Sequence, residues 1–187
     1  MPELPEVETV VRELNRSLPG RRIDEVEVLR ANALGGCEAG VFRDRLVGSE
    51  FGRVGRRGKF LIFRLAPRGF LVGHLRMTGK FILAPKPVAR RPHDRVRFGL
   101  DGGATLIFQD SRCFGTLAVV ERLADYGPLG RLGLDALSRR FTADWLARAL
   151  GSSRAPVKHW LMDQARIAGL GNIYVAEILF RAGISPL

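Results

Sequence analysis

The chain has 187 residues, 46% of them hydrophobic, which is enough apolar surface to core one domain or two small ones and excludes a disordered polypeptide. No run approaches the roughly twenty apolar residues that cross a bilayer, and the acidic, proline-broken start lacks the pattern of a signal peptide, so a cytoplasmic protein with no membrane partner is expected. Thirty Lys+Arg against 19 Asp+Glu leave a net charge of +11, which implies a polyanionic partner.

Val7, Val11, Leu14 and Leu18 recur at i, i+4, i+7 and i+11, Pro5 suits a first helical turn and Gly20 lies past the end, so an amphipathic helix is predicted over about residues 5–18. Beyond it the period shortens. RIDEVEVLR, KFLIFRL, GFLVGHLRM, KFILA, RVRFGL, ATLIFQD and GTLAVVE read as strands rich in Val, Ile and Phe. In RVRFGL, Val96, Phe98 and Leu100 share one face and Arg95 and Arg97 the other, and the DGG that follows signals a hairpin. Seven or eight short strands with tight connections predict an antiparallel sandwich.

From about Leu132 helical spacing returns in FTADWLARAL, APVKHWLMDQARI and NIYVAEILFRAGI. The last two are joined by AGLGN, in which Gly169 and Gly171 allow a sharp reversal and Asn172 is the expected N-cap of a final helix whose amides point outward. The predicted fold class is α+β: residues 1–131 form an antiparallel β-sandwich domain with an N-terminal helix, and 132–187 a helical domain. No internal repeat appears.

The positive charge is concentrated, with thirteen basic residues from Arg53 to Arg97 against one acid, Asp94. Cys37 and Cys113 stand far apart and outside any Cys-x-x-Cys pair, so neither a disulfide framework nor a four-cysteine zinc site can be built from this sequence, and both are expected reduced. Met1 followed by the small Pro2 is a substrate for removal of the initiator methionine, which frees a secondary amine. Such an amine attacking an aldehyde carbon gives a cationic iminium directly. An α-amino group has a pKa near 8 against about 10.4 for lysine, so far more of it is free base at neutral pH. The alternative is a processed, frayed terminus.

Several separated segments carry a family resemblance: PELPEVETV at the start, GRRGKF around Lys59, HLRMTG (residues 74–79), DSRCFG (residues 110–115) and MDQARIAGLGNIYVAEILF (residues 162–180). Together, in this order, they resemble formamidopyrimidine-DNA glycosylase, a base-excision repair enzyme, over nearly the whole chain. Leu4 separates it from the related endonuclease VIII branch, which typically has glycine there.

The resemblance implies a bifunctional DNA glycosylase and abasic-site lyase excising oxidised purines, formamidopyrimidine and 8-oxoguanine, from double-stranded DNA. Pro2 would attack the sugar carbon C1′, Glu3 would protonate the opening sugar, and Glu6 would assist. Lys59, His74 and Arg76 would contact phosphate near the lesion. Met77, Arg112 and Phe114 would enter the duplex where the damaged base leaves. Lys158 and Asn172, in a helix-two-turn-helix motif, would bind flanking phosphates. Each residue also has a plainer reading: helix N-terminal charge for Glu3 and Glu6, a solvated lysine at 59, a structural histidine at 74, core packing for Met77 and Phe114, and a simple N-cap at Asn172. Alternation in HLRMTG suggests that His74 and Arg76 share a face while Leu75 packs inward.

Ser111 and Cys113 replace the proline and second arginine usual in the family, which is expected to soften that loop and remove one charge. The sequence ends at FRAGISPL, where the family continues to a four-cysteine zinc finger. No cofactor is therefore expected in this chain, the helix-two-turn-helix domain is read as truncated, and the chain as a fragment or a naturally short relative with weakened DNA affinity. A monomer near the bacterial nucleoid is expected. The alternatives are a non-catalytic binder of damaged DNA and, more remotely, an N-terminal-proline tautomerase acting on small keto acids.

Overall fold

The spacing of Val7, Val11 and Leu14 is realised in helix α1 (Leu4–Leu14), whose apolar stripe is buried while its opposite face is open. The helix stops at Asn15. Its side-chain amide donates to the carbonyl of Val54 at 2.8 Å and its carbonyl oxygen accepts from the Val54 N–H at 2.9 Å, so the helix end is tied to a strand. In this computed structural model, which describes residues 1–186, the remainder of the predicted helix to residue 18 is turn, with Leu18 buried beneath it.

The sandwich is built from β1 (Ile23–Val28), β2 (Glu50–Arg57), β3 (Phe60–Ala66), β4 (Phe70–His74), β5 (Lys80–Ala84), β6 (Asp94–Leu100), β7 (Thr105–Gln109) and β8 (Thr116–Val120), with a short helix α2 (Ala39–Leu46) between β1 and β2. One sheet runs β1-β6-β7-β5 and the other β2-β3-β4-β8, both antiparallel throughout. Their inner faces meet through aromatic rings: Phe51 lies 6.0 Å from Phe98 and Phe63 lies 5.0 Å from Phe81. The DGG turn joins β6 to β7 as expected, with Gly102 and Gly103 both at positive φ.

The chain then runs through α3 (Gly127–Gly130), β9 (Leu134–Asp135), α4 (Ala143–Gly151), α5 (Val157–Met162), β10 (Ile167–Ala168) and α6 (Asn172–Ala182). Thr142 caps α4 by accepting the Trp145 N–H at 3.2 Å. Trp160, Leu161, Ile167, Val175 and Leu179 form a second core, separate from that of the sandwich. The predicted helix over 155–167 ends at Met162, because Ile167 and Ala168 leave helical geometry to pair in parallel with Leu134 and Asp135. Among the described residues no helix is long and apolar enough to cross a membrane.

Candidate active site

The N-terminus is fastened through two consecutive residues, Glu3 and Leu4. The Glu3 N–H donates to the Glu6 carboxylate at 2.8 Å, half of a capping box. The Leu4 N–H donates to the Gly169 carbonyl at 3.1 Å, and the Leu4 side chain fills the space a Gly169 Cβ would take, with Leu4 Cδ1 only 2.5 Å from that position. The Glu3 side chain, 2% exposed, turns into the helical domain. Its Oε2 accepts from the amides of Gly171 at 2.9 Å and Tyr174 at 3.1 Å, and its Oε1 from Ile173 at 2.8 Å.

This arrangement corrects the expectation for Asn172. The N-cap of α6 is Gly171, and Asn172 is the first helical residue and exposed. The free amides at this helix start do attract an anion, as amides and dipole together favour, but the anion is the chain's own Glu3. Any larger residue at 171 would displace the Glu3 carboxylate or the Lys59 ammonium, since a Cβ there would lie 2.5 Å from the Glu3 carboxyl carbon and 2.8 Å from Lys59 Nζ.

Lys59 reaches this point from the two-residue turn between β2 and β3, and it is buried, not solvated. Burial strips water from its ammonium and pulls its pKa below the usual lysine value, with the charge of Glu3 acting the other way. Pro2, Glu3, Glu6 and Lys59 are thus gathered around one junction between the sandwich and the helical domain.

His74 ends β4 and is 7% exposed; its ring meets Phe60 edge-on with centroids 4.5 Å apart. Its Nδ1 accepts the Arg76 N–H at 3.0 Å, which leaves Nε2 as the position for the ring proton. Arg76 does not share its face. The strand stops at His74, Leu75 is buried as well, and Arg76 turns outward at φ 52°, so the alternation read from HLRMTG fails after one residue. Burial first, then the charges of Arg76 and Lys59, lower the His74 pKa from 6.5 to about 4. Because the folded value lies below the unfolded one, this histidine contributes full stability above about pH 6.5 and loses it as pH falls toward 4. His74→Asn, which keeps an acceptor near Nδ1, is expected to shrink the stability loss between pH 7 and pH 4.5 by about 2.5 kcal/mol. Urea unfolding of both proteins at the two pH values measures it.

Met77 and Phe114 are not core residues: they stand 42% and 53% exposed. Asp110, fully buried, organises the loop that carries Phe114. Its carboxylate accepts the Thr78 hydroxyl, the Arg112 N–H at 3.1 Å and the Gly115 N–H at 2.7 Å. Burial pushes the Asp110 carboxyl up, but these hydrogen bonds outweigh it and hold the pKa below the usual carboxylate range. The Thr78 bond ties the Met77 turn to the Phe114 loop, and the Arg112 guanidinium lies 4.9 Å from the Phe114 ring centre. The Asp110 hydrogen bonds hold the loop with Ser111 in place of the family's proline, and Cys113, in place of its second arginine, sits at φ 57°.

Lys158 is half-buried on α5 and borders an apolar cavity of about 260 Å³ with Leu179, Phe180 and Ile184. Part of the dense basic run is turned inward. Arg56, Arg57, Arg95 and Arg97 are all engaged with the protein: Arg56 with Asp135 and Glu8, Arg57 with the carbonyls of Leu132 and Gly133, Arg95 with the Asp110 carbonyl, Arg97 with Asp94. Sequence reasoning missed Asp110 and Asp135 as organising residues; the first lay inside a quoted motif, the second had no signal. Among the described residues no group of three or more His, Cys, Asp or Glu stands close enough to hold a metal ion.

An antiparallel sandwich whose first residues are clamped into a helix-turn-helix pair, with two linked loops presenting an arginine and two exposed apolar side chains, defines the helix-two-turn-helix class of DNA glycosylases. Residues 1–117 match the formamidopyrimidine-DNA glycosylase N-terminal domain and residues 132–187 the formamidopyrimidine-DNA glycosylase H2TH domain. The chain belongs to the formamidopyrimidine-DNA glycosylase family. It is 42% identical over 190 residues to that glycosylase of Exiguobacterium sibiricum, covering all of this chain and 68% of the relative, and 45% identical over 195 residues to that of Parasynechococcus marenigrum, covering 69% of the relative. The Lactococcus lactis Fpg in complex with abasic-site DNA superposes with a TM-score of 0.91 at 34% identity, covering 99% of this chain and 68% of that one. The same enzyme with Fapy-dG DNA gives a TM-score of 0.90, covering 98% and 69%.

Proposed function

We propose that this DNA glycosylase of base-excision repair uses Pro2 as its nucleophile, once Met1 is removed, on oxidised purines and abasic sites in double-stranded DNA. The Pro2 nitrogen forms a bond to C1′ as the glycosidic bond breaks, and the electron pair leaves with the base, which takes a proton. The nitrogen then loses its own proton, its lone pair opens the sugar with a proton delivered to the ring oxygen, and a cationic iminium results. Loss of the C2′ proton expels the 3′ phosphate and cuts the strand. No cofactor enters, because the nucleophile is the chain's own amine. Its proposed substrate is the DNA of the nucleoid in the bacterial cytoplasm.

The observation that carries this reading is the pinning of residues 3 and 4, which makes Pro2 a fixed reactant and not a frayed end. Oε1 of Glu3 has one donor and Oε2 has two, so Oε1 keeps the lone pair available for the proton going to the sugar oxygen. Glu6 holds the Glu3 backbone. Lys59 and neutral His74 offer N–H donors to phosphate, Arg76 adds an exposed charge, and Lys158 and Asn172 are assigned to flanking phosphates. The relatives solved with Fapy-dG and abasic-site DNA support this substrate class.

Borohydride trapping tests the chemistry. Processed protein mixed with abasic-site DNA is expected to give a covalent adduct as the iminium is reduced to a stable amine. Absence of adduct from processed protein overturns the reading and leaves a non-catalytic DNA binder. Met77, Arg112 and Phe114 are assigned to the gap a flipped nucleotide leaves. Phe114→Ala is expected to leave folding stability within about 0.5 kcal/mol, its ring being exposed, yet to weaken binding to abasic-site DNA about tenfold by fluorescence anisotropy.

A further inference from the structure

Lys59 Nζ has no hydrogen bond or ion pair among the described residues, although the residue is 5% exposed. Only the charge of Glu3 acts on its tip, with no directed bond to fix it, so its position is set chiefly by the turn that carries it. That turn is held from the other domain. Asp135 Oδ2 accepts the Gly58 N–H at 2.9 Å and Arg56 Nη1 at 2.8 Å, and Oδ1 accepts Arg56 Nη2 at 3.0 Å. Arg56 Nη1 in turn donates to the Gly58 carbonyl at 2.8 Å. Both peptide groups flanking Gly58, the second of which is bonded to Lys59, are therefore gripped by one carboxylate and its arginine. Gly58 sits at φ 56°, where a Cβ would lie 3.2 Å from the Ala168 side chain, so the turn is seated directly on β10.

Asp135 pairs with Ala168, and the residues that follow Ala168 supply the Leu4 and Glu3 contacts at Gly169 and Gly171. The element that places Asp135 is thus the one that places the N-terminus. We infer that Asp135 is a positioning residue, acting through Arg56 and the Gly58 turn to set Lys59 Nζ against the Pro2–Glu3 segment. The inference deepens the Pro2 reading above and rests on it for its kinetic consequence. Asp135 touches no reacting atom itself.

A double-mutant cycle on processed protein tests it. D135N is expected to slow single-turnover borohydride trapping at saturating abasic-site DNA about tenfold, since small misplacements of a site group carry penalties of this order, with Kd for that DNA within about threefold. In a K59A background D135N should change the rate less than about twofold, because the residue through which it acts is gone. An equal slowing in both backgrounds, or a rate and affinity that fall together, overturns the inference. The chain has four lysines, Lys59, Lys80, Lys86 and Lys158, so the spectrum of [13C]lysine-labelled protein is simple, and the Lys59 signal, identified by its loss in K59R, is expected to move toward those of the exposed lysines in D135N. An unmoved signal also overturns it. If wild-type protein traps nothing, the Pro2 reading fails while the lysine spectrum still decides on Asp135. Should D135N unfold, R56K, which keeps the cation without the two-pronged geometry, carries the same measurements.

Discussion

Protein that keeps Met1 is expected to form no borohydride adduct with abasic-site DNA, a loss of about a thousandfold or more against processed protein, while binding the same DNA within about threefold. With Met1 in place the Pro2 nitrogen is an amide, whose lone pair is delocalised into the carbonyl and does not attack carbon. The comparison is clean because the fold accepts Met1: the chain carrying it has Glu3, Leu4 and Glu6 fully engaged, and Met1 is 43% exposed. Expression in cells lacking methionine aminopeptidase supplies the Met1 form, and mass spectrometry verifies the single-residue difference. An adduct of equal yield from both forms would move the nucleophile elsewhere, with Lys59 first in line.

Much of this was legible from residue order alone. The sandwich declared itself because Val96, Phe98 and Leu100 alternate with Arg95 and Arg97, a pattern only a strand uses. Those arginines, however, are not the solvated face that alternation suggests: Arg97 bonds Asp94 at 2.8 Å and Arg95 the Asp110 carbonyl at 2.6 Å, both nearly buried. Charge in a sequence does not distinguish an ion facing phosphate from one facing a carboxylate 79 residues away, as Arg56 faces Asp135. Strand β2 was read only as basic sequence because a bulge between Phe51 and Val54 breaks the period of two, so its two buried side chains fall three apart. Helix α2 offers just Phe42 and Leu46 to the core, too short a stripe for a periodicity reading.

The site divides the same way. Pro2, Glu3, Lys59, Met77, Arg112 and Phe114 lie in local motifs and could be named. What holds them could not be, since it is non-local: Asp135 grips Gly58 from 77 residues away, and Gly171 meets Glu3 across 168. Asn172 was favoured as a cap on propensity, but a cap contributed from the far end of the chain made the position next to it, Gly171, the one that matters.

That long-range cap is where the largest stability effect is expected. Glu3→Ala leaves the amides of Gly171, Ile173 and Tyr174 without their acceptor. Gly171 is buried, so its N–H cannot turn to water without opening the junction. At about 1–3 kcal/mol for an unsatisfied buried donor, offset where water reaches Ile173 and Tyr174, the total is about 3–5 kcal/mol. That is a large share of the 5–15 kcal/mol typical of a domain. Glu3→Gln retains one acceptor oxygen but points an NH₂ at an N–H, and is expected to cost about 2–3 kcal/mol. The loss should also be local in kind. Amide hydrogen exchange at Ile173 and Tyr174, and at Leu4, whose bond to Gly169 shares the junction, is expected to accelerate well beyond that of β6 and β7. A Glu3→Ala protein within about 1 kcal/mol of wild type, with exchange unchanged at these amides, would mean that the helix start is satisfied by water. The terminus would then owe its position to Leu4 and Glu6 alone.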